Sequence, residues 1–470
     1  MEENEDFGFN EEINEVAAKI DSMLEGKAQY YFDLSDYERV IDYHVEAGSF
    51  EKAAKIIELA KKQHPGSAEM LIREAHILAL NSNHPKEIEA SFLLLDKAEA
   101  IDPSNPDIYL TRGFVHKQLS QYEKAIENYK KAAIYSDTRE IVFLNIAYAY
   151  KAIEKYDQAI IYFKKTLEEN PDDSDTLLEL AICHDISGKA EEYIPYLNQF
   201  IDDNPYNKFA WYHLGISYNN NGKYEDAVSA YGYAIAIDDK FGAAYYNRAN
   251  AYVNMEKYDE AILDYKSSVK YDGPDSLIFC QLGECYERLE NYDKAIEYYN
   301  KSIKFDPDFA DAWLGMGIVY ENKGLLTDSL QYVRKAVHLS KDNSEFWYIL
   351  AEIENKTGNI DNANAAYKKV LELTPDNEDI WLDYSNLFFD QADIEKAIEI
   401  LDVGIQKFPA NADYVYRMVC YLISNGKEKE ALSFLERALE MDKTRCEQMF
   451  EYMPVLKENL RVIEVINANS

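Results

Sequence analysis

The chain has 470 residues, 47% of them hydrophobic, with 49 lysines and arginines against 86 aspartates and glutamates, a formal net charge of −37. Such a field repels phosphate backbones and anionic bilayers, so nucleic-acid binding and membrane-surface attachment are not expected. No run of about 18 apolar residues is present, so no membrane insertion is expected.

The chain opens on MEENEDFGFNEE, with six acidic and no basic residues. That is unlike a signal peptide, which starts basic and then turns apolar, and a cytoplasmic location is the expectation. Ile13, Val16, Ala17, Ile20, Met23 and Leu24 follow at helical spacing and predict an amphipathic helix that caps what comes next. Five cysteines, at 183, 280, 285, 420 and 446, are odd in number and scattered. They form neither a disulfide framework nor a zinc-ligand pattern, and read as small apolar fillers.

From Leu34 a pattern recurs every 34 residues. Trp211–Asp238, Tyr245–Asp272 and Phe279–Asp306 show it in register: a large aromatic, a small residue four places on, an aromatic, then alanine. With Lys208 as position 1, Trp211, Leu214, Gly215 and Tyr218 fall at positions 4, 7, 8 and 11, one stripe of a helix. Tyr224, Ala227, Tyr231 and Ala234, at 17, 20, 24 and 27, form a second stripe. NNNGK between them is a turn in which Gly222 supplies a positive φ. One unit is therefore helix A, a tight turn and helix B.

This phase gives twelve units, starting at Leu34, Ala68, Pro106, Glu140, Ser174, Lys208, Gly242, Ser276, Ala310, Ser344, Glu378 and Ala412; the second carries four extra residues around NSNHPKE. Position 8 is Gly or Ala in nine units and position 20 is Ala or Ser in eleven, which lets the two helices approach closely. Position 24 is apolar or aromatic in all twelve and fills the space around that contact. Position 32 is proline in seven, which ends helix B. A lone hairpin cannot cover its own apolar stripe, so hairpins must stack.

The pattern resembles the tetratricopeptide repeat (TPR) family over Leu34–Arg445. The resemblance implies an all-α fold, a right-handed superhelical solenoid of about twelve stacked hairpins with helical end caps. Helix A would line the concave surface and helix B the outside. The expected organisation is an acidic N-terminal segment with its capping helix (1–33), twelve units (34–445) and a C-terminal capping helix (446–470). That last helix is predicted from Phe450, Met453, Leu456, Leu460, Ile463 and Ile466. The unit 174–207 is irregular: Tyr193 and Phe200 stand where small side chains prevail, and Pro195 lies inside helix B. A kink or altered curvature is predicted there.

No catalytic constellation is evident. GxxxxGK[ST], GxSxG, HExxH and GxGxxG are all absent. His44, His116 and His184 share position 11, a core position, and Cys183 and His184 are helix neighbours that point about 100° apart. The expectation is no enzyme, cofactor or metal. In the resembled family, ligands lie on the concave face at positions 2, 5, 6, 9, 12 and 13 of helix A. Positions 5 and 9 carry Leu110, Phe114, Leu144, Tyr148, Leu178, Ile182, Tyr212, Ile216, Tyr246, Asn250, Leu314 and Ile318; position 6 carries Asn145, His213, Asn247 and Gln281. The candidate peptide groove is Asn145, Tyr148, Tyr212, His213, Ile216, Tyr246, Asn247, Asn250 and Gln281. Apolar side chains there would hold a peptide or helix, and carboxamides would hold a peptide backbone.

The family's other mode, capture of a chaperone C-terminal carboxylate, needs basic residues that no three consecutive units supply. Position 5 is never basic, and position 6 only at Arg39, Arg73 and Arg417. Position 2 is acidic at Glu69, Asp107, Asp175, Asp311, Glu345, Asp379 and Asp413, which favours neutral or basic partners. The expected function is a non-catalytic protein-interaction scaffold. The alternative is a structural or regulatory subunit that joins an assembly through its ends or convex face.

Overall fold

The computed structural model describes residues 14–81 and 84–469. Among them, helix A of twelve successive hairpins begins at Leu34, Ala68, Pro106, Glu140, Ser174, Lys208, Gly242, Ser276, Ala310, Ser344, Ile380 and Ala412. All but one are the starts that the repeat predicts; the eleventh hairpin begins two residues late, at Ile380 instead of Glu378. No strand occurs among the described residues.

Local chemistry sets these starts. Asn105, Asp173, Asn207, Asp275, Asn343 and Asn411 each stand just before a helix A and accept hydrogen bonds from its first-turn N–H groups. Those donors have no partner within the helix. Position 15, in the turn, has a positive φ in each of the eleven hairpins where it lies among the described residues. Glycine meets that demand at Gly48, Gly188, Gly222, Gly324, Gly358 and Gly426, but Ser120, Glu154, Glu256, Glu290 and Ala392 adopt it as L-residues. Each holds a conformation disfavoured by roughly 1 kcal/mol or more.

Within a hairpin, position 8 faces position 24. A Cβ added at Gly215 would lie 2.5 Å from the Tyr231 ring, and one at Gly283 would lie 2.7 Å from Tyr299. Gly113 stands in the same relation to Tyr129, and Gly317 to Val333. These partners are all essentially fully buried. Between hairpins, position 25 of one reaches position 11 of the next. Lys130 Nζ donates to the Tyr150 hydroxyl at 2.8 Å, Lys266 to Tyr286 at 2.9 Å, and Arg334 Nη2 to Glu354 at 2.6 Å.

The contacts divide the chain into two compact units, Met1–Ala244 and Tyr245–Ser470. Each is a run of helices stacked in chain order. In the first, the helix at 14–24 places Ala17 and Ile20 in one core with Tyr37, Ile41 and Ile56 of the first hairpin. Ile13 lies outside the described residues. The fifth hairpin pairs more loosely than its neighbours. Tyr193 occupies the position that alanine or serine holds elsewhere, and its buried hydroxyl donates to the Leu177 carbonyl across the hairpin at 2.9 Å. Helix B there, Ala190–Asp203, runs unbroken through Pro195. In the second unit, the C-terminal segment is not one helix: Cys446–Tyr452, a 3-10 turn at Pro454–Glu458 and Leu460–Ala468 follow in turn. Met449, Phe450, Leu456 and Val462 share the core of the twelfth hairpin.

Two substitutions test this account by urea unfolding. Gly283→Ala is expected to destabilise by about 1–3 kcal/mol, because Tyr299 is boxed in by Gly283 and Gly315. Glu154→Gly is expected to stabilise by about 1 kcal/mol, because it removes a strained φ of 58°.

Candidate functional site

The predicted groove residues divide between the two units, five in the first and four in the second. In the first, the helix A face of the third to sixth hairpins is apolar and partly uncovered. Leu178 is 49% exposed, and Ile141 and Ile186 more so. Leu110, Phe114, Leu144, Tyr148, Ile182, Tyr212 and Ile216 are half-buried around them. Tyr148 packs edge-on against Phe163 at 5.4 Å, and Tyr212 lies 5.0 Å from Phe241. Burial, with Glu179 nearby, raises the Tyr148 phenol above its ordinary range. The Asn145 amide donates to the Ile141 carbonyl of its own helix at 2.8 Å.

His213 departs from the expectation. Its side chain is turned inward, only 6% exposed, and bonds the Ser174 backbone of the preceding hairpin. Desolvation holds its pKa down at about 4. It is part of the seam between hairpins, not an open contact. Leu314 is likewise buried, and does not stand in an open wall.

In the second unit, Tyr246, Asn250 and Gln281 come together. The Gln281 amide donates to the Tyr246 hydroxyl at 3.3 Å, and the Asn250 carbonyl oxygen accepts from the Tyr265 hydroxyl at 2.6 Å. Asn250 and Gln281 line a depression of about 570 Å³ with Tyr258, Glu284 and Arg288. Gln281 Oε1 is buried with no hydrogen-bond donor. Asn247 is half-buried on the same helix A as Asn250. Glu284, Glu287 and Arg288, at positions 9, 12 and 13 of the eighth hairpin, belong to this face and were not among the predicted residues. Their signal was legible: the same inner positions read one unit further along the chain.

Among the described residues, no group of three or more His, Cys, Asp or Glu side chains is placed to hold a metal ion, and no helix is long and apolar enough to cross a membrane. Burial pushes the Cys183 thiol up to about 11, while His184 Nδ1 lies 3.2 Å from the Lys189 carbonyl. What the two faces offer is apolar surface and hydrogen-bonding groups, the means of recognition.

The fold and faces define a helical-hairpin repeat protein of the protein-interaction class. Sequence-family models described as "Tetratricopeptide repeat" match residues 106–133, 142–173, 210–241, 242–275, 276–309, 298–331, 355–419 and 412–445. The chain belongs to the tetratricopeptide repeat family, whose superhelical solenoid is the fold of each unit. No curated protein matches the sequence. Among solved structures, the APC/C hetero-tetramer Cut9–Hcn1 is similar at 16% identity and a TM-score of 0.40, covering 91% of this chain and 94% of that one. YrrB, "a TPR protein with an unusual peptide-binding site", is similar at 20% identity and a TM-score of 0.32, covering 38% and 93%. PilF of Pseudomonas aeruginosa is similar at 17% identity and a TM-score of 0.37, covering 44% and 94%. The family assignment does not rest on these likenesses.

His213 makes stability pH-dependent. Its folded pKa of about 4 lies below the ordinary value of about 6.5, so the unfolded chain takes up the proton first. The stability it contributes is present above about pH 6.5 and is lost as pH falls toward 4, by up to about 3 kcal/mol. Burial lowers His44, His76, His116 and His184 in the same direction. Urea midpoints measured from pH 7 to pH 4 are expected to fall, and to fall less in His213→Gln.

Proposed function

We propose that the protein is a non-catalytic scaffold that holds a peptide or helix of a partner protein along its helix A faces. The observation that carries this reading is the uncovered apolar row in the first unit, where Ile141 is 63% and Leu178 49% exposed beside half-buried aromatic residues. Contiguous exposed apolar surface of this kind is expected to be covered by a partner, and a row along successive helices suits an extended peptide or an amphipathic helix. The nearby Asn145, Tyr148, Tyr212 and Ile216 would frame it, with Tyr246, Asn247, Asn250 and Gln281 serving the second unit. The negative rim favours neutral or basic segments. A chaperone carboxylate is disfavoured, since Arg73 is paired with Asp42, and the Arg417 guanidinium lies 3.4 Å from the Tyr452 ring centre. The free cysteines at 183, 280, 285, 420 and 446 suit a reducing compartment, the cytoplasm.

A second reading, a subunit that joins an assembly through its end, is favoured by one observation: Val455 and Leu460 in the C-terminal segment are 65% and 78% exposed.

The two readings separate by mutation. Peptides would be selected from a random display library against the full chain and titrated by fluorescence anisotropy. Ile141→Glu with Leu178→Glu is expected to weaken them by about tenfold or more, with the circular dichroism unchanged. Unchanged affinity in that variant, with loss in Val455→Glu and Leu460→Glu, would transfer the function to the end.

A further inference from the structure

The helix A face of the second unit differs in kind from that of the first. At the inner positions of the eighth to eleventh hairpins stand Glu284, Glu287, Asp311, Glu352, Asp379 and Asp383. Two cations share these positions: Lys356 is engaged with Glu321 at 2.6 Å, and Arg288 lines the rim of the depression with Glu284. Several of the carboxylates are held by neutral donors instead. Glu287 accepts from the Tyr299 hydroxyl at 2.7 Å, Asp383 from Tyr348 at 2.8 Å, and Glu352 from Tyr367. Glu284 has the Cys280 thiol at 3.7 Å. A tyrosine hydroxyl satisfies an acceptor but leaves the negative charge in place.

The energetics follow from that arrangement. Glu284 and Asp311 are exposed and Glu287 half-buried; partial desolvation raises the Glu284 carboxyl above its ordinary range, Glu287 and Asp311 add to the rise, and the Cys280 thiol and Arg288 oppose it without reversing it. Burial also raises Glu287, against the Tyr299 bond and Arg288. Beside them, in the depression of about 570 Å³, Gln281 Oε1 is a buried acceptor that receives no hydrogen bond. A buried acceptor without a donor is destabilising, and so are crowded carboxylates that outnumber their cations, here Glu284, Glu287 and Asp311 against Arg288. One ligand chemistry relieves both: a cationic donor.

We propose that the helix A face of the eighth to eleventh hairpins docks a lysine- or arginine-bearing segment of a partner protein, with one cationic side chain seated in the depression formed by Gln281 and Glu284. This rests on the scaffold reading and names the chemistry of its partner for the second unit. Charge complementarity selects the occupant: an ammonium or guanidinium group presents donors to Gln281 Oε1 and Glu284 together and offsets the charge of Glu287 and Asp311.

The test uses the full chain and a fluorescein-labelled peptide of alternating lysine and serine, read by anisotropy at near-physiological salt. Because a chain of net charge −37 attracts any polycation, the comparison is between variants that remove equal charge. Glu284→Gln, Glu287→Gln and Asp311→Asn together are expected to weaken binding about tenfold or more. Asp259→Asn, Glu260→Gln and Asp328→Asn together, exposed on helix B, are expected to change it less than about twofold. Equal losses in the two triples, or no loss in the first, overturn the proposal. If the inner triple does not fold as judged by circular dichroism, Glu284→Gln alone is compared with Glu260→Gln; a loss of about threefold in the former supports the proposal and equality overturns it. Overturning it leaves the scaffold reading standing if library-selected peptides still respond to Ile141→Glu and Leu178→Glu. Both readings fall if those peptides do not respond either.

Discussion

The contact between position 8 of helix A and position 24 of helix B is the constraint on which the rest of each unit depends. Where position 8 is glycine at 113, 215 and 283, position 24 is tyrosine, at 129, 231 and 299. Where position 8 grows to Ile41 or Val419, position 24 shrinks to Ile57 or Leu435. The largest partners at position 24 thus stand opposite the smallest residues at position 8, as expected for a close-packed interior. Close approach at this point aligns the apolar stripes of both helices on one side, and that side is what the next hairpin covers. The small residue at position 20 serves the same end from the other helix. At Tyr193 that residue is large, the hairpin opens, and a hydroxyl-to-carbonyl bond takes the place of close packing.

A second regularity governs charge. A set of basic residues joins one hairpin to the next. Lys189 meets Asp157 at 2.7 Å, Lys323 meets Asp293 at 2.9 Å, and Lys151 is paired with Glu179, beside the bonds from Lys130, Lys266 and Arg334. Each exposed pair is worth little alone, on the order of 1 kcal/mol or less. Together they remove cations from the surface and leave the carboxylates in excess. On the second unit's helix A face Lys356 meets Glu321 at 2.6 Å, and carboxylates still outnumber the lysines and arginines there.

The fold was legible because the period is strict. A fixed spacing of 34 residues repeats the same packing problem, so one solved unit predicts the others, down to the first residue of helix A in all but one hairpin. The exception coincides with a local difference. Trp211, Trp313 and Trp347, at position 4, donate Nε1 to the carbonyls of Pro205, Pro307 and Lys341. Trp381 holds the same position but is buried with its Nε1 unpartnered, while the Pro375 carbonyl accepts from Lys407 instead. Gly404 stands against Trp381: a Cβ there would lie 3.1 Å from Trp381 Cβ, so the usual alanine would crowd the indole in this place. A glycine at position 27 was the available sign, and a reading of shared positions passes over it.

The candidate site was less legible, for a reason that the same periodicity creates. Every unit offers the same inner positions, so position alone cannot separate a side chain that meets a ligand from one that meets the neighbouring hairpin. Position 6 shows the difference. Arg73 is paired with Asp42, Glu179 with Lys151, Gln281 with Tyr246 at 3.3 Å and Asp383 with Tyr348 at 2.8 Å, each reaching back to the preceding helix A. His213 reaches back to Ser174 and is buried in doing so. Position 6 is thus a seam before it is a wall, and a carboxamide there has one end already engaged. What remains for recognition is the end left over. For Gln281 that end is a carbonyl oxygen without a donor, in a depression that Glu284 and Arg288 also line. The residues proposed for binding are those whose hydrogen-bonding capacity the fold does not exhaust, and a sequence pattern averaged over twelve units hides that remainder.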